Sequence, residues 1–495
     1  MVELTPAPEV QPTLEKLAHL PGCLLLQSSM KIPAAEQAQS QPQSQPLGRY
    51  SFLLVDPFET IVEPVGSDKI FSRLRALLEK YNTQTVDGLP PMQGGLAGLF
   101  SYELSRSIER VGPPICDKFQ LPAIAVGAYD VVIAWDHEEE KSWIISQGFP
   151  AETPEDRRYQ ADSRAWFIES LLEIGGLPTQ PDAIEKVDQS ELTPIFDVDG
   201  PEGLKSNFSS EDYIASVQKS IDYINAGDVF QINLAQRLLF PANCSSLELH
   251  RRLTQCNPAP FSGYFDISRL VDKSGFGNCK AQIISASPER LFSVRNGLAE
   301  TRPIKGTRRR TGQPLVDIEA KEELLASEKD RAENTMIVDL MRNDLSKVCQ
   351  DDTIEVTQHC ELEEYQSVFH LVSAVEGRLD SRQDLIDLLQ AVFPGGSITG
   401  APKIRAMEII AELEPSARGA YCGALGYLGF DENADLNILI RTITAAGGWW
   451  QIPVGGGIVT QSKPLTEYEE TWTKAAGMLR AVTMKDAKQS DDSGN

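Results

Sequence analysis

Two stretches decide the fold class: Leu436-Asn437-Ile438-Leu439-Ile440-Arg441-Thr442-Ile443-Thr444-Ala445, and after it Trp449-Trp450-Gln451-Ile452-Pro453-Val454-Gly455-Gly456-Gly457-Ile458-Val459-Thr460. Both read as strands, apolar and rich in β-branched and aromatic residues. Residues 425–429 precede them as a further strand, and 466–482 follow as the last helix. Working outward, 368–379 and 229–239 are strand text, and 283–294 is strand text interrupted by Ser287-Pro288-Glu289-Arg290. Helical text covers 210–227, a long run at 321–345, and 404–414, opened by Pro402, a residue suited to a first turn. Strands and helices mix without a regular βαβ alternation. That predicts an α+β protein with largely antiparallel sheets rather than a doubly wound fold.

The N-terminal part is less periodic. Residues 48–57 read as a buried strand ending in a turn, 120–147 as strand text around the acidic turn 136–140, and 163–174 as an amphipathic helix. The Gln/Ser/Pro tract at 36–47 reads as a disordered loop, and 175–203, rich in Pro, Asp and Gly, as a linker. The expected organisation is an N-terminal region with its linker over 1–200, a catalytic domain over 201–486, and a disordered tail over 487–495.

At 495 residues the chain is long enough for two or three domain-sized units, and 41% hydrophobic with 24% charged residues fits a soluble globular protein. With 46 Lys and Arg against 71 Asp and Glu, the formal charge is −25. That balance argues against nucleic acid, and Arg308-Arg309-Arg310 is too short to reverse it. An anionic substrate has to be drawn in by local cations and a bound metal. Residues 1–6 lack a basic and an apolar region, so no signal segment is expected, and no apolar run is long enough to span a bilayer. The eight cysteines form no Cys-x-x-Cys pair, so a cytoplasmic protein with free thiols is expected.

Chemistry concentrates in the second half. Glu467, Glu470 and Lys474 fall at i, i+3 and i+7 on one face of the last helix, and Asp330 and Glu333 repeat the i, i+3 pair on the long helix. Two such helices can jointly hold one magnesium ion; each pair alone also fits a solvated, salt-bridged face. Gly455-Gly456-Gly457 either lets backbone amides approach a carboxylate or marks a bulge or tight turn. Arg441 inside apolar strand text needs an anion, either a substrate carboxylate or a structural partner. The loop from Gly395 through Thr399 to Lys403 lacks the phosphate-loop pattern, and anion or hydroxyl binding remains. Lys305 is either a surface charge or an amine nucleophile. Glu289 and His370 are proton handlers or satisfied core groups.

Ser287-Pro288-Glu289-Arg290, Pro303-Ile304-Lys305-Gly306-Thr307, Asp330 to Asp344, Phe393 to Lys403 and Glu467 to Lys474 together resemble the chorismate-utilising enzymes, over about residues 205–485. The resemblance implies antiparallel sheets packed face to face with helices outside. Gly48 to Pro57 is similar to the N-terminal part shared by anthranilate synthase and aminodeoxychorismate synthase large subunits. Lys305 stands where anthranilate synthases usually carry Ala, so the motif resembles the para-aminobenzoate branch of folate synthesis, with anthranilate formation as the alternative. The family's mechanism implies that Lys305 attacks C2 of chorismate while the 4-hydroxyl leaves with Glu289 as acid, and that ammonia then adds at C4. It implies Mg2+ on Glu333 and Glu470, with Asp330 and Glu467 acting through water. It places Arg441, Tyr421 and the glycine amides on the enolpyruvyl carboxylate, with Lys474, His370 and Thr399 in the same site. Gln231 falls where isochorismate-forming relatives have a lysine base, which argues against water addition. No amidotransferase elbow surrounds any cysteine, so a separate glutamine amidotransferase subunit is implied as the ammonia source. Three departures stand out: Arg309 replaces a Pro, 266–279 reads as an insertion, and Gln27 in Leu25-Leu26-Gln27-Ser28 replaces the Glu of the tryptophan-binding motif.

Overall fold

Strand text at 283–294 folds as two strands, Ala281–Ser287 and Arg290–Arg295, and they belong to different sheets. The break falls at Pro288, which has no N–H to give a ladder. The stretch 436–445 divides likewise. Ala434–Asn437 lies in one sheet, Thr442–Ala446 in the other, and Arg441 between them takes φ +51°. Arg441 is therefore in a crossing link and not inside a strand, a correction to the sequence reading. The two crossings run side by side. Ser287 Oγ donates to the Ile438 carbonyl (2.6 Å), Ile438 N–H donates to the Glu289 carbonyl (2.9 Å), and Ala286 N–H donates to the Arg441 carbonyl (3.1 Å).

This is a computed structural model, describing residues 1–30, 47–174, 186–192, 194–270, 280–365 and 368–484. The tract at 36–46, the 175–185 part of the linker, the insertion at 271–279 and the tail at 487–495 lie outside the described residues. Among those described, thirteen strands form one sheet and ten the other, and every pairing is antiparallel. Strands from before residue 200 sit in both. Leu24–Gln27 pairs with Phe261–Asp266 in the larger sheet, and Gly95–Phe100 pairs with Ala424–Gly429 in the smaller.

The sheets pack face to face. Phe52, Leu54, Phe265 and Ile283 of one interleave with Leu99, Ala125, Leu425 and Tyr427 of the other. Helices cover the outer faces: Val10–Leu17, Ser246–Cys256 and Pro464–Thr483 on the larger sheet, through Leu14, Leu249 and Met478. Ile70–Lys80, Glu328–Leu345 and Leu385–Val392 cover the smaller, through Leu74, Ile337 and Leu389. Each fully buried Leu, Ile or Phe contributes about 1.5–3 kcal/mol, so these three layers outweigh the surface ion pairs at ~0–1 kcal/mol each.

The long helix expected over 321–345 is two helices, Pro314–Ala326 and Glu328–Leu345. Ser327 breaks it, because its hydroxyl accepts from the Asp330 N–H and caps the second helix. The cysteines among the described residues are free thiols, and no described helix is long and apolar enough to cross a membrane.

Candidate active site

A cavity of ≈ 630 Å³ is bounded by the crossing residues Ala286, Pro288, Glu289, Ile440 and Arg441. Lys305 enters it from strand Ile304–Arg309, whose register against Val368–Arg378 slips by one residue between Ile304 and Thr307. Such a bulge re-aims a side chain out of the sheet's alternation. Gly306 makes the bulge feasible: its φ is +83°, and a Cβ there would lie 2.8 Å from Leu324. Lys305 Nζ donates to the Ser397 carbonyl at 3.4 Å. Arg309 ends the same strand opposite Val368, so the missing proline leaves regular pairing.

Glu289 is 5% exposed, and burial pushes its carboxyl above the usual range against the opposing Ser397, Lys305 and Ile304 backbone. It is held toward its protonated form, as an acid must be. His370 shares a hydrogen bond of 2.9 Å with Thr307 Oγ1, and burial pushes its pKa down to about 4. It is neutral near pH 7 and can orient or accept, but it carries no proton reserve. Burial also lowers the Arg441 pKa, with Tyr421 and Glu470 opposing through space. Its guanidinium has no ion-pair partner among the described residues, so the structural-pair alternative falls away and the charge faces the cavity. Tyr421 lines the cavity beside it.

Gly455, Gly456 and Gly457 sit in regular register within Trp449–Ile458, opposite Ala235, Leu234 and Asn233, so they mark neither bulge nor turn. They are glycines because of close approach. A Cβ at 455 would lie 2.5 Å from the Leu234 carbonyl, and one at 457 would lie 2.8 Å from Gln231 Nε2. At 456 it would meet Glu467 Oε2 at 3.4 Å, Lys474 Nζ at 3.5 Å and Glu470 Oε1 at 3.9 Å.

The two carboxylate helices do converge. Lys329 Nζ lies 3.9 Å from Glu333 Oε1 and 3.8 Å from Glu467 Oε1, which bridges Glu328–Leu345 to Pro464–Thr483. Burial raises the pKa of Glu333 and of Glu467. Burial acts the same way on Glu470, but the Lys474 ammonium at 2.7 Å outweighs it and holds Glu470 low. Lys474 also donates to the Gly455 carbonyl at 2.8 Å. Asp330 is engaged by Arg308 at 3.4 Å. Among the described residues no three His, Cys, Asp or Glu side chains stand close enough to hold a metal together. Glu333 Oε1 is nevertheless buried without a hydrogen bond. Magnesium keeps most of its waters and needs only one or two carboxylates, so Glu333 with Glu470 fits it.

Two sequence-derived candidates stand behind the wall. Thr399 is fully buried, and its hydroxyl donates to the Gly395 carbonyl at 3.0 Å. Gln231 is fully buried behind Gly457 with both amide atoms unpartnered. Gln27 lines a separate cavity of ≈ 80 Å³ between the sheets with Arg290 and Asp435. Sequence reasoning missed Asn233, Ser397 and Lys329, all of which line the main cavity. Asn233 was within reach, since a polar residue two positions after Gln231 shares its face of the strand.

Residues 35–480 match the family described as chorismate binding enzyme. The chain belongs to this family. Anthranilate synthase component 1 of Thermus thermophilus is 38% identical over 418 residues, 84% of this chain and 82% of the relative. Aminodeoxychorismate synthase component 1 of Bacillus subtilis is 35% identical over 454 residues, 89% of this chain and 90% of the relative. The crystal structure of anthranilate synthase component I from Streptococcus pneumoniae superposes with a TM-score of 0.71 at 30% identity, covering 91% of this chain and 97% of that one. As a chorismate-binding enzyme of the anthranilate and aminodeoxychorismate synthase type, the chain has relatives of both names at similar identity. The choice between their reactions rests on the cavity itself.

Proposed function

We propose that this chorismate-binding enzyme is aminodeoxychorismate synthase component I, a cytoplasmic enzyme that converts chorismate and ammonia to 4-amino-4-deoxychorismate for para-aminobenzoate formation. Lys305 carries the reading, because the bulge aims its amine into the cavity that Glu289 also lines. The Lys305 Nζ lone pair adds to C2 of chorismate, the ring double bonds shift, and the C4–O bond breaks. The Glu289 carboxyl gives its proton to the departing oxygen, which leaves as water. Ammonia adds at C4, the double bonds shift back, and the C2–Nζ bond breaks. The Glu289 carboxylate takes the extra proton from the new ammonium. One chorismate and one ammonia thus give one aminated product, with its enolpyruvyl group intact, and one water.

Arg441, Tyr421 and the amides of the glycine run hold the enolpyruvyl carboxylate. Glu333 and Glu470 would hold Mg2+, and Asp330 and Glu467 would assist from the same two helices. When bound, the ion neutralises the substrate's ring carboxylate. His370, neutral and tied to Thr307, positions the ring. Gln231, with no basic nitrogen, cannot activate water for addition at C2. The ammonia comes from a glutamine amidotransferase subunit.

The 38%-identical Thermus relative favours a second reading, anthranilate synthase, in which pyruvate is also released. The deciding experiment incubates the chain alone with chorismate, magnesium and ammonium, and resolves the product by mass spectrometry. An aminated product that keeps the enolpyruvyl group supports the proposal; anthranilate with pyruvate replaces it by the second reading. Lys305→Ala is expected to abolish or redirect turnover while leaving chorismate binding nearly intact. An unchanged rate and product would eliminate the covalent step.

A further inference from the structure

On the strand next to the glycine run, Asn233 pairs with Gly457 and presents to the cavity a polar group that no protein partner satisfies. Asn233 is 6% exposed, and its Nδ2 has no hydrogen bond; Ser397 is 7% exposed and lies against the Glu289 carboxyl. Both line the cavity with Glu289 and Lys305. A buried amide donor left unpaired is costly, and such a group in a native cavity calls for a ligand.

Asn233 is also held rigidly. Its N–H donates to the Thr399 carbonyl at 2.8 Å, and its carbonyl accepts from Arg418 at 2.6 Å. Arg418 donates as well to the Ile398 carbonyl (2.9 Å) and pairs with Glu414 at 2.7 Å, both side chains being buried. The Ala235 N–H donates to the same Glu414 carboxylate at 2.9 Å. One buried ion pair therefore clamps the strand carrying Asn233 to the loop carrying Ser397. That is the pre-organisation expected of a group whose direction matters.

Resting on the reading above, we propose that Asn233 is a substrate-contacting residue whose Nδ2–H donates to the hydroxyl oxygen that leaves the chorismate ring. Chemistry decides between the two reacting groups it could touch. The departing oxygen gains negative charge as the C–O bond breaks, so a donor there assists the step that Glu289 completes. The same donor on the lone pair of ammonia would block the nucleophile. Ser397 Oγ, which can accept, is the partner suited to an ammonia N–H.

The test measures steady-state kinetics of the full chain with chorismate and ammonium, together with chorismate affinity by calorimetry without ammonium. Asn233→Leu, close in shape but without a donor, is expected to lower kcat at least about tenfold. The chorismate Kd and the ammonium KM should each stay within about threefold. A raised ammonium KM with kcat unchanged would overturn the assignment in favour of contact with the nucleophile. Unchanged kinetics would overturn it outright. If Asn233→Leu does not fold, Asn233→Ala with native melting behaviour decides by the same readings. Loss of the hydroxyl is common to both candidate reactions. The product of the wild-type chain therefore judges the functional reading, and the kcat of the variant judges Asn233.

Discussion

Glu289 shows at residue scale how one side chain carries opposing demands. Burial raises its pKa, so in the folded protein it keeps a proton that the unfolded chain releases. Folding stability from this group is therefore intact below the ordinary carboxylate pKa and declines as pH rises toward the raised folded value. Glu289→Gln removes that cost. We expect the variant to melt higher than wild type near neutral pH, with the difference shrinking as pH falls through the raised folded value and gone below the ordinary carboxylate pKa of about 4.3. Turnover is expected to fall by about 10²–10⁴, the usual contribution of a positioned acid. Thermal melts across pH with parallel rates check both; a variant that melts lower at neutral pH, or turns over normally, contradicts the assignment. Legibility in sequence differed from residue to residue. Glu289 and Lys305 stood out by motif, but Asn233 did not. An unpaired amide is defined by what fails to surround it, which spacing does not record.

At the scale of elements, the strand Trp449–Ile458 was foreseeable, whereas the reason for its glycines was not. The three positions make separate demands. Gly455→Ala puts a Cβ 2.5 Å from a backbone carbonyl of the neighbouring strand, which has no soft way to yield. It should cost about 1–3 kcal/mol of stability, visible in denaturant unfolding. Gly456→Ala meets its nearest atom, a carboxylate oxygen, at 3.4 Å, so its stability loss should stay below about 1 kcal/mol. It should instead weaken the response of activity to magnesium. If both variants unfold alike, position 456 is structural. The helix and strand runs that were misjudged share one cause. Ser327, Pro288 and Arg441 each change chain direction inside text whose hydrophobic pattern continues unbroken. Periodicity reports which residues are buried, not which sheet buries them.

On the scale of the whole molecule, the sheets ignore the boundary seen in sequence near residue 200. A fragment starting at 201 would lose Leu24–Gln27 from the edge of Phe261–Asp266 and Gly95–Phe100 from the edge of Ala424–Gly429. It would also lose half of the layer between the sheets, where Phe52, Leu54, Leu99 and Ala125 lie. We expect that fragment to remain without cooperative unfolding, whereas the full chain melts as a unit; a cooperative melt of the fragment would refute this. By itself the sequence determined the α+β class, the antiparallel bias, the family and the residue types of the site, since these follow from local pattern and motif. Only the tertiary structure decided that two crossings put Glu289 and Arg441 at one cavity, that Lys305 leaves its strand by a bulge, and that Lys329 stands between the carboxylate helices. Those facts depend on contacts between residues tens to hundreds of positions apart, and a linear pattern holds no record of which distant segments meet.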